Sequence, residues 1–369
     1  MATVFITCPY PLSRLTGIGR FVRDLIRFLE PLGISASLAC PAEFKSQSIR
    51  GDGGFNLRWK VFSNLELAIA TAMKQVRERD DFQVVHVHQA HLQSLAATLT
   101  ARILGKASLI TVHVRTPVAA GRIRRATERL ISNLSVRSAT ESVAVSRFVA
   151  ETFPYREIRI IENGVDTEMF RSSAEGRRRV RTDLGLGPET VFVFAGRWTT
   201  TKGVDTLIRA ANSSLLASLA FKILLLGEAT PDEPDLVARS VEMLDNPSRI
   251  IPLGPIGGGL PDYLSAGEVF VSPSLYEGMP LAFLEAMATG LPVLASDIPI
   301  HRELVNRAGV GWLFPPGNAE ELAARMAQVI KKGVPMDWSE RARSMVVAHH
   351  DVRSKVAEYV SLYRSMIHP

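Results

Sequence analysis

Short, wholly apolar runs alternate with segments of helical period along nearly all of this 369-residue chain, and that alternation limits the folds open to it. TVFITC, ISASLAC, FQVVHVH, SLITVHV and SVAVS lie in the first half; VFVFAGR, FKILLLG, RIIPLG, EVFVSPS and LPVLAS lie in the second. Many of them are apolar throughout rather than at every second position, as expected of strands covered on both faces in a parallel sheet with helical crossovers. The segments between them fit. After Gly19, the residues Phe21, Val22, Leu25, Ile26 and Leu29 form one apolar stripe, while Arg20, Arg23, Asp24, Arg27 and Glu30 take the other face. The fold class is therefore α/β.

A chain of this length exceeds one ordinary core and suits two domains. The stretch SSAEGRRRVRTDLGLGP, basic and glycine-containing with little strand character, places a linker at residues 172–187. It would join an N-terminal domain, residues 1–171, to a second domain, residues 188–351. The closing amphipathic segment, within residues 352–369, has no strand after it and is expected to pack back on the first domain. Cys8 and Cys40 sit in apolar runs, which points to buried thiols in a reducing compartment rather than a disulfide framework. The opening MATVFITCPYPLSRL reads as a first strand and not as a secretory signal, and the longest uncharged segment, residues 82–101, carries three histidines that do not suit a bilayer core.

Candidate chemistry gathers at the ends of predicted strands, where open α/β sheets bind ligands. Arg197 ends the VFVFAGR strand and Lys202 sits in the loop before the next helix; two cations there suit a diphosphate, or else are solvated loop charges. In VSPSLYEGMPLAFLEAMATG, Pro280 favours a helix start, so the amides of Gly278, Met279 and Leu281 lie near a positive helix end that attracts anions. Glu277 precedes that helix and Glu285 lies within it, with seven residues between them. Both carboxylates can accept hydrogen bonds from sugar hydroxyls, although Glu285 could equally point to solvent. Gly17 and Gly19 in SRLTGIGR form a second glycine-bearing loop that would admit phosphate close to the backbone. Among the histidines, His86 reads as a satisfied core residue, while His88 and His113, at strand ends, are candidates for a cleft. No acidic or cysteine partner stands at metal-ligand spacing beside them, and no Asp-x-Asp occurs, so no metal site is expected.

In this order and spacing, TGIGRFVRDLIRFL, VVHVH, ITVH, VAVS, IIENGVDTEMF, AGRWTTTKG, SPSLYEGMPLAFLEAMATGLPVLAS and the closing helix resemble the family-4 retaining glycosyltransferases. The resemblance covers nearly the whole chain. It implies the GT-B fold, two Rossmann-like domains facing a central cleft, and transfer of a sugar from a UDP- or GDP-linked donor to a hydroxyl acceptor in glycolipid or surface polysaccharide synthesis. It also implies the roles. Arg197 and Lys202 would neutralise the diphosphate, so that no metal or other cofactor is required. Glu285 would bind the ribose, Glu277 the transferred sugar, and the backbone from Gly278 to Leu281 the phosphates. Gly17 would approach the donor, His113 would contact the donor sugar, and His88 would stand on the acceptor side. Asn163 to Asp166 match a turn at the crossing between domains. IHRELV, before and around Glu303, stands where many members carry a glycine pair. The rival readings are a phosphorylase of the same fold and a catalytically silent nucleotide-sugar-binding subunit.

The basic excess, 43 Lys and Arg against 37 Asp and Glu, is concentrated. Between Val114 and Arg137 six arginines face Glu128 alone, and Arg122, Arg124 and Arg125 stand among apolar residues of a predicted helix. That pattern suits an anionic membrane surface or a phosphate-bearing, lipid-linked or saccharide acceptor, or else a solvated helix face. No aromatic-rich strand or recognition helix accompanies the charge, so nucleic acid is not an expected partner. The expected location is cytoplasmic, extending to the inner face of a membrane.

Overall fold

The computed structural model describes residues 2–10, 12, 17–41, 57–114 and 122–367, the side chains of 57–63 and 122–125 excepted. The chain divides into two compact units, residues 1–164 with 352–369, and residues 165–351.

The first unit holds a parallel six-stranded sheet of order β2-β1-β3-β4-β5-β6. Its strands are β1 (Ala2–Thr7), β2 (Ile34–Ala39), β3 (Val84–His88), β4 (Ala107–Val112), β5 (Glu141–Ala144) and β6 (Arg159–Ile160). Ala2 lies opposite Ile34, Val4 opposite Val84, and Val84 opposite Ala107. The crossovers include α1 (Gly17–Leu29), α2 (Leu57–Arg77), α3 (Leu92–Ile103), α4 (Arg122–Ser138) and the short α5 (Arg147–Ala150). Strands β3 and β4 are buried or nearly so along their whole length, which is why they read as continuous apolar runs. The closing helix, Val352–Ile367, packs on α1 and reaches β3. Cys8 and Cys40 are free and buried, and burial pushes the Cys8 thiol up to about 11, which leaves it unreactive.

The second unit repeats the plan with order β12-β11-β10-β7-β8-β9. Its strands are β7 (Thr190–Ala195), β8 (Phe221–Leu226), β9 (Ile250–Gly254), β10 (Val269–Ser272), β11 (Val293–Ser296) and β12 (Trp312–Phe314). Its helices are α6 (Ala174–Asp183), α7 (Val204–Ala211), α8 (Leu236–Glu242), α9 (Leu260–Ala266), α10 (Leu281–Ala288), α11 (Pro299–Ala308), α12 (Ala319–Lys332) and α13 (Trp338–His349). In each sheet successive connections run one way from one central strand and the other way from its neighbour. The crevice at the carboxyl ends of β7 and β10 is therefore a topological switch point, the usual ligand site of such sheets.

The expected linker at 172–187 is not one. Ser173 caps α6 by accepting a hydrogen bond from the Gly176 amide, and three arginines of the basic stretch, Arg177, Arg179 and Arg181, hold α6 against α9 and the residues just after it. Arg177 donates to the carbonyls of Ser265 and Gly267, and Arg181 to that of Ala266, which satisfies acceptors that the end of α9 leaves open. Arg177 also pairs with Glu268, and Arg179 with Asp262. The unit boundary falls at Gly164 rather than at 171. The Val165 amide donates to the His350 carbonyl at 2.8 Å, and Arg343 donates to the carbonyls of Thr167, Phe170 and Ala288, tying residues 165–171 to the second unit. A Cβ on Gly164 would lie 2.6 Å from the Val352 Cα, so glycine is what lets these two chain passages touch. Gly164→Ala should cost about 2 kcal/mol, in the range of overpacking a tight site. Denaturant unfolding should show a lowered midpoint, and an unchanged midpoint would mean the contact is loose.

Candidate functional site

Two loops meet at the carboxyl ends of β7 and β10. The first, residues 196–203, leaves β7 and turns into α7. Thr199 accepts a hydrogen bond from the Lys202 amide at 3.2 Å, and Glu233 takes both the amide and hydroxyl of Thr200, at 2.7 and 2.8 Å. Gly203 closes the turn at φ +71°, and a Cβ there would lie 2.1 Å from the Pro273 carbonyl oxygen. Only glycine combines that left-handed backbone with that approach. The second loop, residues 273–280, is stitched to the first by the Leu275 amide, which donates to the Thr201 carbonyl at 2.9 Å.

The side chains complete the join. Lys202 Nζ donates to Glu277 Oε1 at 2.5 Å, with side-chain exposures of 25% and 11%. Ser274 Oγ donates to the same oxygen at 2.7 Å. Burial works to raise the Glu277 carboxyl, but the charge and hydrogen bond of Lys202, together with Ser274 and the nearby His301, hold it below the usual carboxylate range. Arg197 stands exposed beyond the end of β7. Gly278, Met279 and Leu281 are buried at the start of α10, where Pro280 takes the cap position and no side chain caps the helix. Glu285 is only 1% exposed, so the solvent-facing alternative for it is excluded. A buried carboxylate on α10, a cation fixed on a carboxylate, and an uncapped helix start thus share one end of one sheet.

One residue of this region was not singled out from the sequence. His301 is fully buried on α11, stacked on Phe283 at 5.1 Å and 19°. Its Nδ1 lies 3.0 Å from the Ser296 carbonyl, so that nitrogen carries the proton and Nε2, 3.2 Å from Ser272 Oγ, accepts. Ser296 Oγ donates to the Ser274 carbonyl at 2.5 Å, which links His301 through two serines to Glu277. The signal was present: Ile300, His301, Leu304, Val305 and Ala308 form the buried stripe of α11. Glu303, by contrast, pairs with Arg307 at the surface.

In the first unit, His86 is the satisfied core histidine expected, bonded to Tyr363 Oη at 2.6 Å and Thr111 Oγ1 at 2.8 Å. His88 and His113 are 0% and 7% exposed and share a hydrogen bond, Nδ1 to Nε2, of 3.1 Å. Phe21 of α1 packs edge-on against both rings. His88 therefore stands behind His113 rather than at an acceptor surface, and its Nε2 has no partner. Burial drives all three imidazoles down, His113 to about 3, so they are neutral at physiological pH. Gly17, exposed, and Gly19, buried, form the first turn of α1 rather than a loop before it. Arg122, Arg124 and Arg125 open α4, and their side chains lie outside the described residues.

With this geometry in place, the chain can be set beside known proteins. A sucrose-phosphate synthase of Thermosynechococcus elongatus matches with a TM-score of 0.80 at 20% identity, over 99% of both chains. Anabaena Alr3699/HepE in complex with UDP and glucose matches with a TM-score of 0.78 at 18% identity, over 99% of this chain and all of that one. The fold is GT-B. The sequence profile described as Glycosyltransferase Family 4 matches residues 15–169, and that described as Glycosyl transferases group 1 matches residues 189–332. The UDP-Gal:alpha-D-GlcNAc-diphosphoundecaprenol alpha-1,3-galactosyltransferase of Escherichia coli is 30% identical over 57% of this chain and 55% of its own length, so the match spans about half of that enzyme. The GDP-mannose:cellobiosyl-diphosphopolyprenol alpha-mannosyltransferase of Xanthomonas campestris is 24% identical over 77% of this chain and 74% of its own. The chain belongs to the group 1, family-4 glycosyltransferases, and it is an enzyme of that class.

The titration of His301 gives a test of its environment. Burial holds it at about 4, below its ordinary 6.5, against the pull of Glu277. The unfolded chain therefore binds a proton that the folded unit does not, and stability falls as pH drops from 6.5 towards 4. By pH 5 this one group should cost about 2 kcal/mol relative to pH 7. His301→Gln should remove that part of the pH slope in urea titrations at the two pH values; an unchanged slope would show that His301 is not held neutral.

Proposed function

We propose that this chain is a retaining glycosyltransferase that moves a hexose or related sugar from a UDP- or GDP-linked donor to a hydroxyl of a lipid-linked or saccharide acceptor, in glycolipid or surface polysaccharide synthesis. The observation that carries the reading is the Lys202–Glu277 pair, fixed beside the uncapped start of α10 at the switch point of the second sheet. Lys202 and Arg197 neutralise the two phosphates, and the amides at the start of α10 bind their oxygens, where the helix dipole favours an anion. Glu285, buried two turns from the glycine, accepts from the ribose hydroxyls. Glu277 accepts from a hydroxyl of the transferred sugar, and its low pKa keeps it an acceptor at neutral pH.

In this reading the bond from the anomeric carbon to the diphosphate oxygen breaks first, and its electron pair leaves with the nucleoside diphosphate. The cations stabilise that developing charge where water would otherwise have to, which is the largest contribution a preorganised site can make. The acceptor oxygen then bonds to the same face of the sugar, and its proton passes to a phosphate oxygen. No general base and no metal is needed. In the first unit, His113, neutral and braced by His88, is able to hydrogen-bond a sugar hydroxyl, and no side chain crowds the backbone at Gly17 in the first turn of α1. The names of the Escherichia coli and Xanthomonas campestris relatives, both acting on diphospholipid-linked sugars, support the acceptor class.

Lys202→Ala should lower turnover by about 100-fold or more, the usual size for loss of one charge-stabilising group, with the fold retained by circular dichroism. Transfer of labelled sugar to a diphospholipid-linked acceptor measures it. Near-normal turnover would remove Lys202 from the mechanism.

A further inference from the structure

Helices α2, α3 and α4 are the crossovers from β2 to β3, β3 to β4 and β4 to β5. All three step the same way across the sheet, so right-handed connection puts them on one face, where α2 packs on α3 and α3 on α4. The outer surface of this layer is unlike an ordinary solvated one. On α2, Leu65, Ile69, Met73 and Val76 follow one stripe and are 46%, 51%, 61% and 50% exposed. Ile103 on α3 is 84% exposed, and Leu130 on α4 is 58% exposed. Exposed apolar side chains are ordinary singly; a run of them across adjacent helices marks an interaction face.

The charge of the same layer is the second observation. The three helices contain ten Lys and Arg residues against two Glu, a net of +8, while the whole chain is only +6. Everything outside the layer is therefore net negative. Arg77, Arg102 and Arg129 are exposed on it. We propose that this layer docks on an anionic lipid bilayer, with the apolar side chains entering the acyl boundary and the arginines meeting lipid phosphates. The combination selects the partner. A second copy of the chain would bring one +8 layer against another. A nucleic acid would satisfy the charge but would leave Leu, Ile and Met in water, with no exposed aromatic ring for bases to stack on among the described side chains of the layer. A bilayer with anionic headgroups satisfies both at once. Among the described residues no helix is long and apolar enough to cross a membrane, so the contact is with a surface.

The test is co-sedimentation of the full chain, without donor or acceptor, with vesicles of phosphatidylcholine alone and of phosphatidylcholine mixed with phosphatidylglycerol. The chain should bind the mixed vesicles, bind the neutral ones weakly, and lose affinity as salt is raised. Arg102→Ser with Arg129→Ser should weaken binding about 25-fold, at about fivefold for each basic residue at an anionic surface. Met73→Ser with Ile103→Ser should weaken it at least about tenfold. All four residues are exposed, so thermal unfolding should not move. No binding to mixed vesicles, or binding unaffected by either pair, would overturn the proposal. So would tight binding to an RNA homopolymer that the Met73 and Ile103 changes leave intact. Because no sugar is transferred in this measurement, its failure leaves the transferase reading standing, and failure of that reading leaves this one standing.

Discussion

The contact between Lys202 and Glu277 is the interaction on which the second unit's site depends. It joins a loop that leaves β7 to a loop that leaves β10, across the switch point of the sheet. Both groups are largely withdrawn from water, and removing two charges from water costs about as much as their attraction returns. The pair is thus a poor device for stability. Its value is positional: it holds a cation and a carboxylate at fixed places, with Ser274, Ser296 and His301 behind the carboxylate and Thr199, Glu233 and Gly203 behind the cation.

The first unit is built around a different polar core. His86, His88 and His113 stack into the end of the sheet with Tyr359 and Tyr363 of the closing helix and Thr111 of β4. Burying neutral imidazoles is tolerable because both ring nitrogens of His86 are hydrogen-bonded and His88 and His113 bond to each other. The closing helix is thereby tied to the strands by hydrogen bonds as well as by packing, which explains why a segment nearly two hundred residues downstream belongs to the first core.

Much of this was legible in the sequence. Runs such as FQVVHVH and VFVFAGR announce covered parallel strands, because a residue buried on both faces has no reason to alternate. The E-x7-E spacing placed Glu277 and Glu285 on either side of a helix start, and both lie there. Three things were hidden. SSAEGRRRVRTDLGLGP reads as a linker because composition does not show that Arg177 and Arg181 reach the carbonyls at the end of α9, about ninety residues later. His301 carries no motif, and only its place on the apolar stripe of α11 marks it as buried. The apolar face of α2, α3 and α4 is invisible in any one helix, since each stripe alone looks like ordinary core, and it takes the layer to show which residues are left outside.

The claim that binds these parts is that the second unit is built to hold a diphosphate. Calorimetric titration with UDP and GDP, each against its own monophosphate, tests it directly. At least one diphosphate should bind about tenfold or more tightly than its monophosphate, since the second phosphate adds charge-assisted contacts to Lys202, Arg197 and the start of α10. Equal affinities, or no binding by either diphosphate, would contradict the account.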